Sequence, residues 1–263
     1  MERKDPEQKK GHKTAAPGSN RGERPASQGI GKEEKSAAGS FAGPFDQDGL
    51  ALEHVLPADI EKRSFEIIGQ ELGGRTFPPL EQPVVYRVIH TSADFDYADT
   101  LTFTHNAVEK GIEAVRGGAC IVTDTRMALA GINKRVLGKF GGQAMCFMAD
   151  PDVAQAAKEE GTTRAVQSMR KAASLPGEKP LIFAIGNAPT ALLEVAALVR
   201  EGKIRPALVI GVPVGFVNVV QAKERVLEED VPCIVARGRK GGSNVAAAIC
   251  NAILYEASGN RRE

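Results

Sequence analysis

Residues 181–201 read LIFAIGNAPTALLEVAALVRE, and this stretch decides the predicted fold. Leu181 to Ile185 is a short apolar run of the kind that forms a buried strand. Gly186 to Thr190 is a turn, in which Pro189 suits the first turn of a helix, and a helical pattern continues to Glu201. A strand that leads through a short turn into a helix is the first part of a βαβ unit.

The same order of elements repeats along most of the chain. Strands separated by helices favour right-handed crossovers, so the sequence predicts an α/β fold with an open, largely parallel sheet and helices on both faces. The other predicted strands are Val84 to Ile89, Cys120 to Thr123, Met145 to Met148, Ala207 to Ile210 and Cys233 to Val235. The other predicted helices are Pro57 to Leu72, Asn106 to Val115, Pro151 to Glu160, Thr163 to Ala173, Asn218 to Glu229 and Asn244 to Glu256.

The first 45 residues differ in composition from the rest of the chain. They are rich in Gly, Ser, Pro, Lys and Glu and contain hardly any branched aliphatic side chains. Such a segment does not bury enough apolar surface to offset the loss of chain entropy. We expect a disordered tail over residues 1–45, serving as an extension or linker, and a single α/β domain over residues 46–263.

Charge and hydropathy exclude several classes of protein. Among 263 residues, 34 Lys and Arg stand against 33 Asp and Glu, a formal charge of +1. There is therefore no global excess of charge to hold nucleic acid or an anionic membrane. The longest apolar stretch, Ala207 to Val217, is interrupted by Gly and Pro and is far shorter than the roughly 20 residues of a spanning helix. We expect a soluble protein with no nucleic-acid and no membrane partner.

The four cysteines and four histidines show no spacing typical of a metal site. The cysteines are far apart and form no CxxC pair, and no HxxxH or HExxH motif is present. Cys120, Cys146 and Cys233 fall within predicted strands and have the character of small core hydrophobes. No apolar segment of a secretion signal follows the N-terminus. The sequence predicts a reduced, cytoplasmic protein that holds no metal.

The loop after the last predicted strand, Arg237 to Ser243, favours an anion site. Three cations lie among three glycines directly before a helix. Glycines let backbone N–H groups approach an anion, a helix N-terminus adds partial positive charge, and Arg donates paired hydrogen bonds to carboxylate or phosphate. A solvated basic turn is the alternative. Neither GxxxxGK[ST] nor GxGxxG is present, so ATP and dinucleotides are not favoured.

His90 ends the predicted strand Val84 to Ile89, at the edge of the sheet where open α/β proteins bind ligands. From its position alone, His90 is either a packing residue or a general acid or base. The aspartates at positions 94, 96 and 99 either orient it, do acid and base work of their own, or cap a helical turn, and capping is favoured for at least two of them. Asp124 and Arg126 leave the next strand together and are candidates for a mutual ion pair.

Taken together, the strand-end loops resemble those of precorrin-8X methylmutases, also called cobalt-precorrin-8 methylmutases, enzymes of cobalamin biosynthesis. The helix that carries Arg63 and Ser64 is similar to the family's opening helix, so the resemblance extends from about Leu56 to Tyr255. Ser92-Ala93 and Gln221-Ala222 depart from the family's usual pattern. The matching segments are RVIHTSADFDYAD at 87–99, TDTRMALAGI at 123–132, AIGNAPTAL at 184–192, PVGFVNVV at 213–220 and RGRKGGS at 237–243.

This resemblance implies an isomerase that moves a methyl group from C-11 to C-12 of the corrinoid ring. The product is hydrogenobyrinate or, with cobalt in the ring, cobyrinate, and no external cofactor takes part. The resemblance also implies that His90 is the general acid that protonates the ring, and that the enzyme is a homo-oligomer, most simply a dimer, with the substrate near the subunit contact. The candidate binding residues for the polycarboxylate are Arg63, Ser64, Thr123, Asp124, Asn187, Gly215, Arg237, Arg239 and Lys240.

Two other functions compete with this interpretation. A corrinoid-binding or carrier protein without turnover would need the same anion-binding loops, although His90 weighs against it. An unrelated α/β enzyme that acts on a phosphorylated metabolite would explain the basic loop, but it would explain none of the other four matching segments.

Overall fold

A sheet of six strands lies at the centre of the structure, a computed structural model that describes residue 53 and residues 55–259. The strands are β1 (Leu101–Thr104), β2 (Cys120–Thr123), β3 (Gln143–Met145), β4 (Leu181–Ile185), β5 (Leu208–Gly211) and β6 (Cys233–Ala236). Their order across the sheet is β1-β6-β5-β4-β2-β3. All neighbours pair in parallel except β1 and β6, which pair antiparallel at one edge.

The described region contains eleven helices, and both faces of the sheet are covered by helices. Helix α11 is the most buried and packs against α2, α4 and α5, whereas α8, α9 and α10 lie on the opposite face. The helices are α1 (Ile60–Glu71), α2 (Gln82–Ser92), α3 (Tyr97–Thr100), α4 (Ala107–Arg116), α5 (Arg126–Gly131), α6 (Lys134–Lys139), α7 (Pro151–Glu159), α8 (Arg164–Ala173), α9 (Pro189–Arg200), α10 (Val219–Leu227) and α11 (Ser243–Ser258).

The central strands are buried on both faces. In β4, Ile182 and Ala184 enter the core under α11, while Phe183 and Ile185 enter the core under α9. Strands with two covered faces are expected to be apolar throughout, and this is why the sequence analysis finds them as continuous apolar runs. The α/β class with a largely parallel sheet and helices on both faces is confirmed.

The prediction of a strand from Val84 to Ile89 is wrong, because these residues belong to α2. The β-branched residues favour a strand, but Val84, Val85, Val88 and Ile89 also have the spacing of one helix face, and each is at most 1% exposed. Packing of this face against α11 decides the conformation. His90 therefore lies in the last turn of a helix and not at the end of a strand.

The sheet contains a strand that the sequence analysis does not identify. β1 is antiparallel to β6, and its first residue, Leu101, pairs with Ala236 at the carboxyl end of β6. The chain that enters β1 therefore lies at the same edge of the sheet as the loops that leave the parallel strands. This arrangement brings the segment after α2 to the predicted ligand side of the sheet, although the segment follows a helix.

Short helices and element ends account for the remaining differences. Helices α3, α5 and α6 are not predicted, because segments of four to six residues are too short to show a helical period. The first helix begins at Ile60 instead of Pro57, and Cys146 follows β3 instead of lying within a strand. Cys120 and Cys233 are buried in strands as predicted.

The described residues 55–259 belong to one compact unit. The predicted tail over residues 1–45 and the predicted domain boundary at residue 46 lie outside the described residues. Within the part that the structure describes, none of the helices has the length and apolar character needed to cross a membrane.

We expect Gly186→Ala to destabilise the fold, because β4 ends in contact with the start of α11. A Cβ atom at Gly186 would lie 2.7 Å from the Cα atom of Ser243 and 2.8 Å from the carbonyl oxygen of Gly242. Both are backbone atoms, so the segments must separate. The free energy of unfolding should fall by about 1 to 3 kcal/mol, as in other overpacked sites, and urea unfolding followed by circular dichroism measures it.

Gly177→Ala is the matched control for this change. No atom lies within 4 Å of a Cβ atom at Gly177, and its φ is not positive. Its urea midpoint should stay the same or rise slightly, because alanine restricts the unfolded chain. Equal midpoints for the two variants would contradict the close approach of β4 and α11.

Candidate active site

Four loops meet at the carboxyl edge of the parallel strands. They comprise residues 124–125, 186–188, 212–218 and 237–242, and we call them the rim loops. Three contacts tie them together: Thr125 Oγ1 lies 2.7 Å from Ser243 Oγ at the start of α11, Gly242 N–H donates to the Val212 carbonyl at 2.9 Å, and Gly215 N–H donates to the Arg239 carbonyl at 3.1 Å. Together with hydrogen bonds from residues 186–188 to Asp124, these contacts join the four rim loops.

Asp124 organises this surface from inside. Its side chain is 1% exposed, Oδ1 accepts a hydrogen bond from Gly186 N–H at 2.9 Å, and Oδ2 accepts bonds from Asn187 N–H at 2.8 Å and Ala188 N–H at 2.6 Å. Burial raises the pKa of the Asp124 carboxyl, and the three backbone hydrogen bonds act in the opposite direction. The carboxylate binds the backbone of the 186–188 loop. Asp124 therefore affects a ligand indirectly, because it fixes the conformation of that loop.

The other candidates from β2, β4 and β5 differ in exposure. Thr123 is completely buried, and its hydroxyl lies within donating distance of the carbonyls of Thr125, at 3.0 Å, and Met145, at 3.2 Å. Asn187 is exposed, and Gly215 is half-buried with a φ of 143° that favours glycine. Asn187 and Gly215 therefore lie at the surface of the rim loops, whereas Thr123 and Asp124 are buried beneath it.

The three cations of the 237–242 loop have different partners. The Arg237 guanidinium lies 3.6 Å from a Glu224 carboxylate oxygen, and the Arg239 guanidinium lies 5.7 Å from the centre of the Phe216 ring. Both arginines are exposed, and Phe216 is 85% exposed. Contacts of this kind at the surface are weak, so both guanidinium groups are available to an anionic ligand.

Lys240 is held more firmly than the two arginines. Its Nζ atom lies 2.6 Å from a carboxylate oxygen of Asp94 and 2.6 Å from one of Asp96. A hydrogen bond from Lys240 lowers the pKa of the Asp94 carboxyl. Asp94 also accepts the backbone N–H of Asp96 at 3.0 Å, which is a turn-forming bond. Lys240 thus joins the 237–242 loop to the segment that follows α2.

His90 lies four residues before Asp94, the first of the two aspartates that Lys240 contacts. Its imidazole is exposed in the last turn of α2 and packs edge-on against the Phe65 ring, with 5.5 Å between the ring centres. The bonds from Lys240 to the aspartates hold the segment four to six residues after His90 against the rim loops. Arg237 N–H also donates to the Thr100 carbonyl at 2.9 Å. The segment that follows His90 is therefore tied to the rim loops by contacts that the sequence analysis did not foresee.

Arg63 and Ser64 lie on α1, which packs against α2, and not on the rim loops. Arg63 Nη1 lies 3.5 Å from a Glu66 carboxylate oxygen, and the Ser64 hydroxyl donates to the Ile60 carbonyl at 2.8 Å. Phe65, which follows Ser64 in sequence, packs against His90.

Two features of the rim are missed by the sequence analysis. One is a set of exposed apolar side chains: Val214 is 46% exposed and Val217 77% in the 212–218 loop, and Met127 is 70% exposed at the start of α5. The other is Lys223, which is completely buried on α10. Lys223 is spaced four residues after Val219 and three before Val226, so it lies on the buried face of α10. This helical spacing could have predicted from the sequence that Lys223 is buried.

The described residues contain no group of three or more His, Cys, Asp or Glu side chains that could hold a metal ion.

The sequence profile of the precorrin-8X methylmutase family matches residues 59–256 of this chain. The chain belongs to the precorrin-8X methylmutase family. The resemblance of the five loop segments is thus confirmed, and the matched range agrees closely with the predicted one, Leu56 to Tyr255.

Individual relatives agree with this assignment. The cobalt-precorrin-8 methylmutase of Priestia megaterium is 46% identical over 215 residues, which cover 79% of this chain and 95% of that protein. The precorrin-8X methylmutase of Pseudomonas aeruginosa is 34% identical over 200 residues, covering 75% and 94%. The crystal structure of the Thermus thermophilus precorrin-8X methylmutase is 42% identical, with a TM-score of 0.70, and the match covers 76% of this chain and 98% of that one.

Asp124→Asn should destabilise the methylmutase fold. The Asn amide group would face a backbone N–H that needs an acceptor, so at least one charge-assisted bond is lost, at a cost of about 1.5 to 3 kcal/mol in the free energy of unfolding. Urea unfolding measures this loss. Asp230→Asn is the control because the Asp230 side chain is fully exposed, and a loss of equal size in the control would contradict the role given to Asp124.

Proposed function

We propose that this protein is a methylmutase of cobalamin biosynthesis that acts on precorrin-8X or its cobalt-containing form. It moves a methyl group from C-11 to C-12 of the corrinoid ring and produces hydrogenobyrinate or cobyrinate. The observation that carries this proposal is the family match over residues 59–256, together with an exposed His90 that is followed, four to six residues later, by a segment bound to the cation-rich 237–242 loop.

His90 is the proposed general acid. As the C-11–methyl bond breaks, the C-12–methyl bond forms, so substrate and product contain the same atoms and the enzyme supplies no electrons. An imidazolium near neutral pH readily delivers a proton to the ring system, and a proton leaves another position of the ring as conjugation is restored. Packing against Phe65 limits the rotation of the imidazole and leaves its other side open to the substrate.

The substrate is held mainly by charge. A corrinoid at this stage carries several carboxylates, and Arg237 and Arg239 present exposed guanidinium groups in one loop. Asn187 and Gly215 line the neighbouring loops, whereas Thr123, Asp124 and Lys240 keep the loops in place. Arg63 and Ser64 on α1 are proposed to bind carboxylates at the edge of the ring that is nearest to His90.

Replacing His90 should separate chemistry from binding. We expect His90→Asn to lower turnover of precorrin-8X roughly a hundredfold or more, the usual contribution of a general acid, and to change the product dissociation constant by less than about tenfold. The absorption spectrum of the corrinoid follows both quantities. The matched control is His105→Asn, because His105 is exposed in the β1–α4 turn at a φ of 51°, which asparagine tolerates.

Turnover of His90→Asn at the rate of the unmodified protein would exclude His90 as the acid. A variant that loses turnover and product binding together, with an unchanged circular dichroism spectrum, would make His90 a binding residue. Binding of precorrin-8X by the unmodified protein without any conversion would favour the carrier function instead.

Loss of either arginine should weaken binding. Each charge-assisted hydrogen bond to a carboxylate is worth about 1.5 to 3 kcal/mol, so Arg237→Ala and Arg239→Ala should raise the product dissociation constant roughly ten- to hundredfold, with larger effects at low salt. Arg205→Ala is the control, because Arg205 is exposed before β5, at the opposite edge of the sheet. Unchanged affinity in both loop variants would place the anion site elsewhere.

We further propose that the enzyme is a cytoplasmic homodimer with the substrate pocket near the subunit contact. The exposed apolar side chains of Val214, Phe216 and Val217, which lie together in the 212–218 loop, support a dimer contact there, because such side chains are usually covered by a ligand or a partner. Light scattering should give twice the mass of one chain at working concentration. A monomer with full activity would contradict the dimer.

A further inference from the structure

Lys223 is a buried cation for which the proposed reaction has no direct use. Its side chain on α10 is 0% exposed. The ammonium group donates hydrogen bonds to the Gly238 carbonyl at 2.9 Å and to the Lys240 carbonyl at 2.7 Å, so it contacts the 237–242 loop from the protein interior.

The burial of the Lys223 ammonium group requires a compensating interaction. Burial of a charged group costs several kcal/mol unless hydrogen bonds compensate. Burial lowers the pKa of Lys223 to about 8, so the group is still mostly protonated at neutral pH. Its two described partners are backbone carbonyls of the loop that carries Arg237 and Arg239, which links the buried charge to the proposed carboxylate site.

The direction of the two carbonyls matters for a loop that binds anions. Carbonyl oxygens carry partial negative charge and repel carboxylates, whereas N–H groups and guanidinium groups attract them. Because Lys223 draws the carbonyls of Gly238 and Lys240 inward, these oxygens do not face the ligand. Gly238 has a φ of 77°, a conformation in which glycine is favoured, and this allows the backbone to turn between the two carbonyls.

The loop is held on its other side as well. A Cβ atom at Gly241 would lie 2.1 Å from the Val212 carbonyl oxygen, so the loop packs directly on the chain that leaves β5. Glu224, the residue after Lys223, contacts Arg237 at 3.6 Å. Helix α10 thus contacts both the backbone and a side chain of the loop.

We propose that Lys223 is a positioning residue, which holds the carbonyls of Gly238 and Lys240 inward so that neither oxygen faces the carboxylates of the substrate bound at the 237–242 loop. The identity of the ligand rests on the proposed function, but the holding of the loop does not.

The test compares Lys223→Met with Lys203→Met. Methionine keeps the length and apolar stem of lysine and removes the charge, and the Lys203 side chain is 63% exposed in the α9–β5 loop. Lys223→Gln is the second variant in case Lys223→Met does not fold, because Gln keeps donor hydrogens without a charge. Circular dichroism and the urea midpoint confirm folding before the other measurements.

The first measurement is hydrogen–deuterium exchange of the backbone amides of residues 237–242 without ligand. We expect exchange at least about tenfold faster in the Lys223 variants than in unmodified protein or Lys203→Met, because the loop opens more often. The second is the kinetic effect: KM and the product dissociation constant should rise about tenfold or more, while kcat changes less than about threefold.

Unchanged exchange in a folded Lys223 variant overturns the proposal. Faster exchange with unchanged affinity and KM also overturns it, because Lys223 would then stabilise the loop without serving the ligand. A fall in kcat with no change in KM would likewise contradict a role in binding. Failure of the unmodified protein to bind any corrinoid would refute the proposed function, and the exchange measurement would then decide alone whether Lys223 holds the loop.

Discussion

Three consecutive backbone amides, those of Gly186, Asn187 and Ala188, donate to the single carboxylate of Asp124, and the arrangement of the rim loops depends on this interaction. It fixes the turn between β4 and α9. Because that turn approaches the start of α11 to within contact distance, it also determines where the 237–242 loop enters α11. A buried charge satisfied entirely by backbone donors is costly to disturb, so this part of the rim is expected to be rigid.

The charges of the site fall into two groups according to their partners. Asp124 and Lys223 are buried and bond to the backbone, one to N–H groups and the other to carbonyls. Arg237 and Arg239 are exposed and have only weak contacts. The buried charges thus fix the shape of the loops, and the exposed arginines are free to bind a ligand. Because the loops are already in place before binding, the site is preorganised for a polyanion.

The sequence predicts the buried parallel strands well and the surroundings of His90 less well. The first and last residues of β2 and β4 are predicted correctly. Strands that are buried on both faces are apolar throughout, so each strand begins and ends where the apolar run meets polar turn residues. Helix α2 is mistaken for a strand, because β-branched residues favour strands while tertiary packing imposes a helix. The segment that follows His90 nevertheless lies at the predicted ligand edge, because β1 returns the chain to that edge.

The partners of individual charges are the least predictable part of the site. The sequence analysis identifies Lys240 and Asp124 as candidate ligand contacts, but Lys240 contacts two aspartates about 145 positions away in the chain, and Asp124 contacts amides about 60 positions away. Partners so distant in sequence depend on the complete fold and leave no local pattern. Family resemblance supplies the role of His90 and does not supply these contacts.

A crystal structure of the protein with hydrogenobyrinate bound would test most directly whether the rim loops and His90 form one site. We expect the macrocycle over the rim loops, with carboxylates within hydrogen-bonding distance of the Arg237 or Arg239 guanidinium and the ring in contact with the His90 imidazole. A macrocycle bound away from the rim loops, or on them but out of reach of His90, would contradict the assignment of this edge of the sheet as the active site.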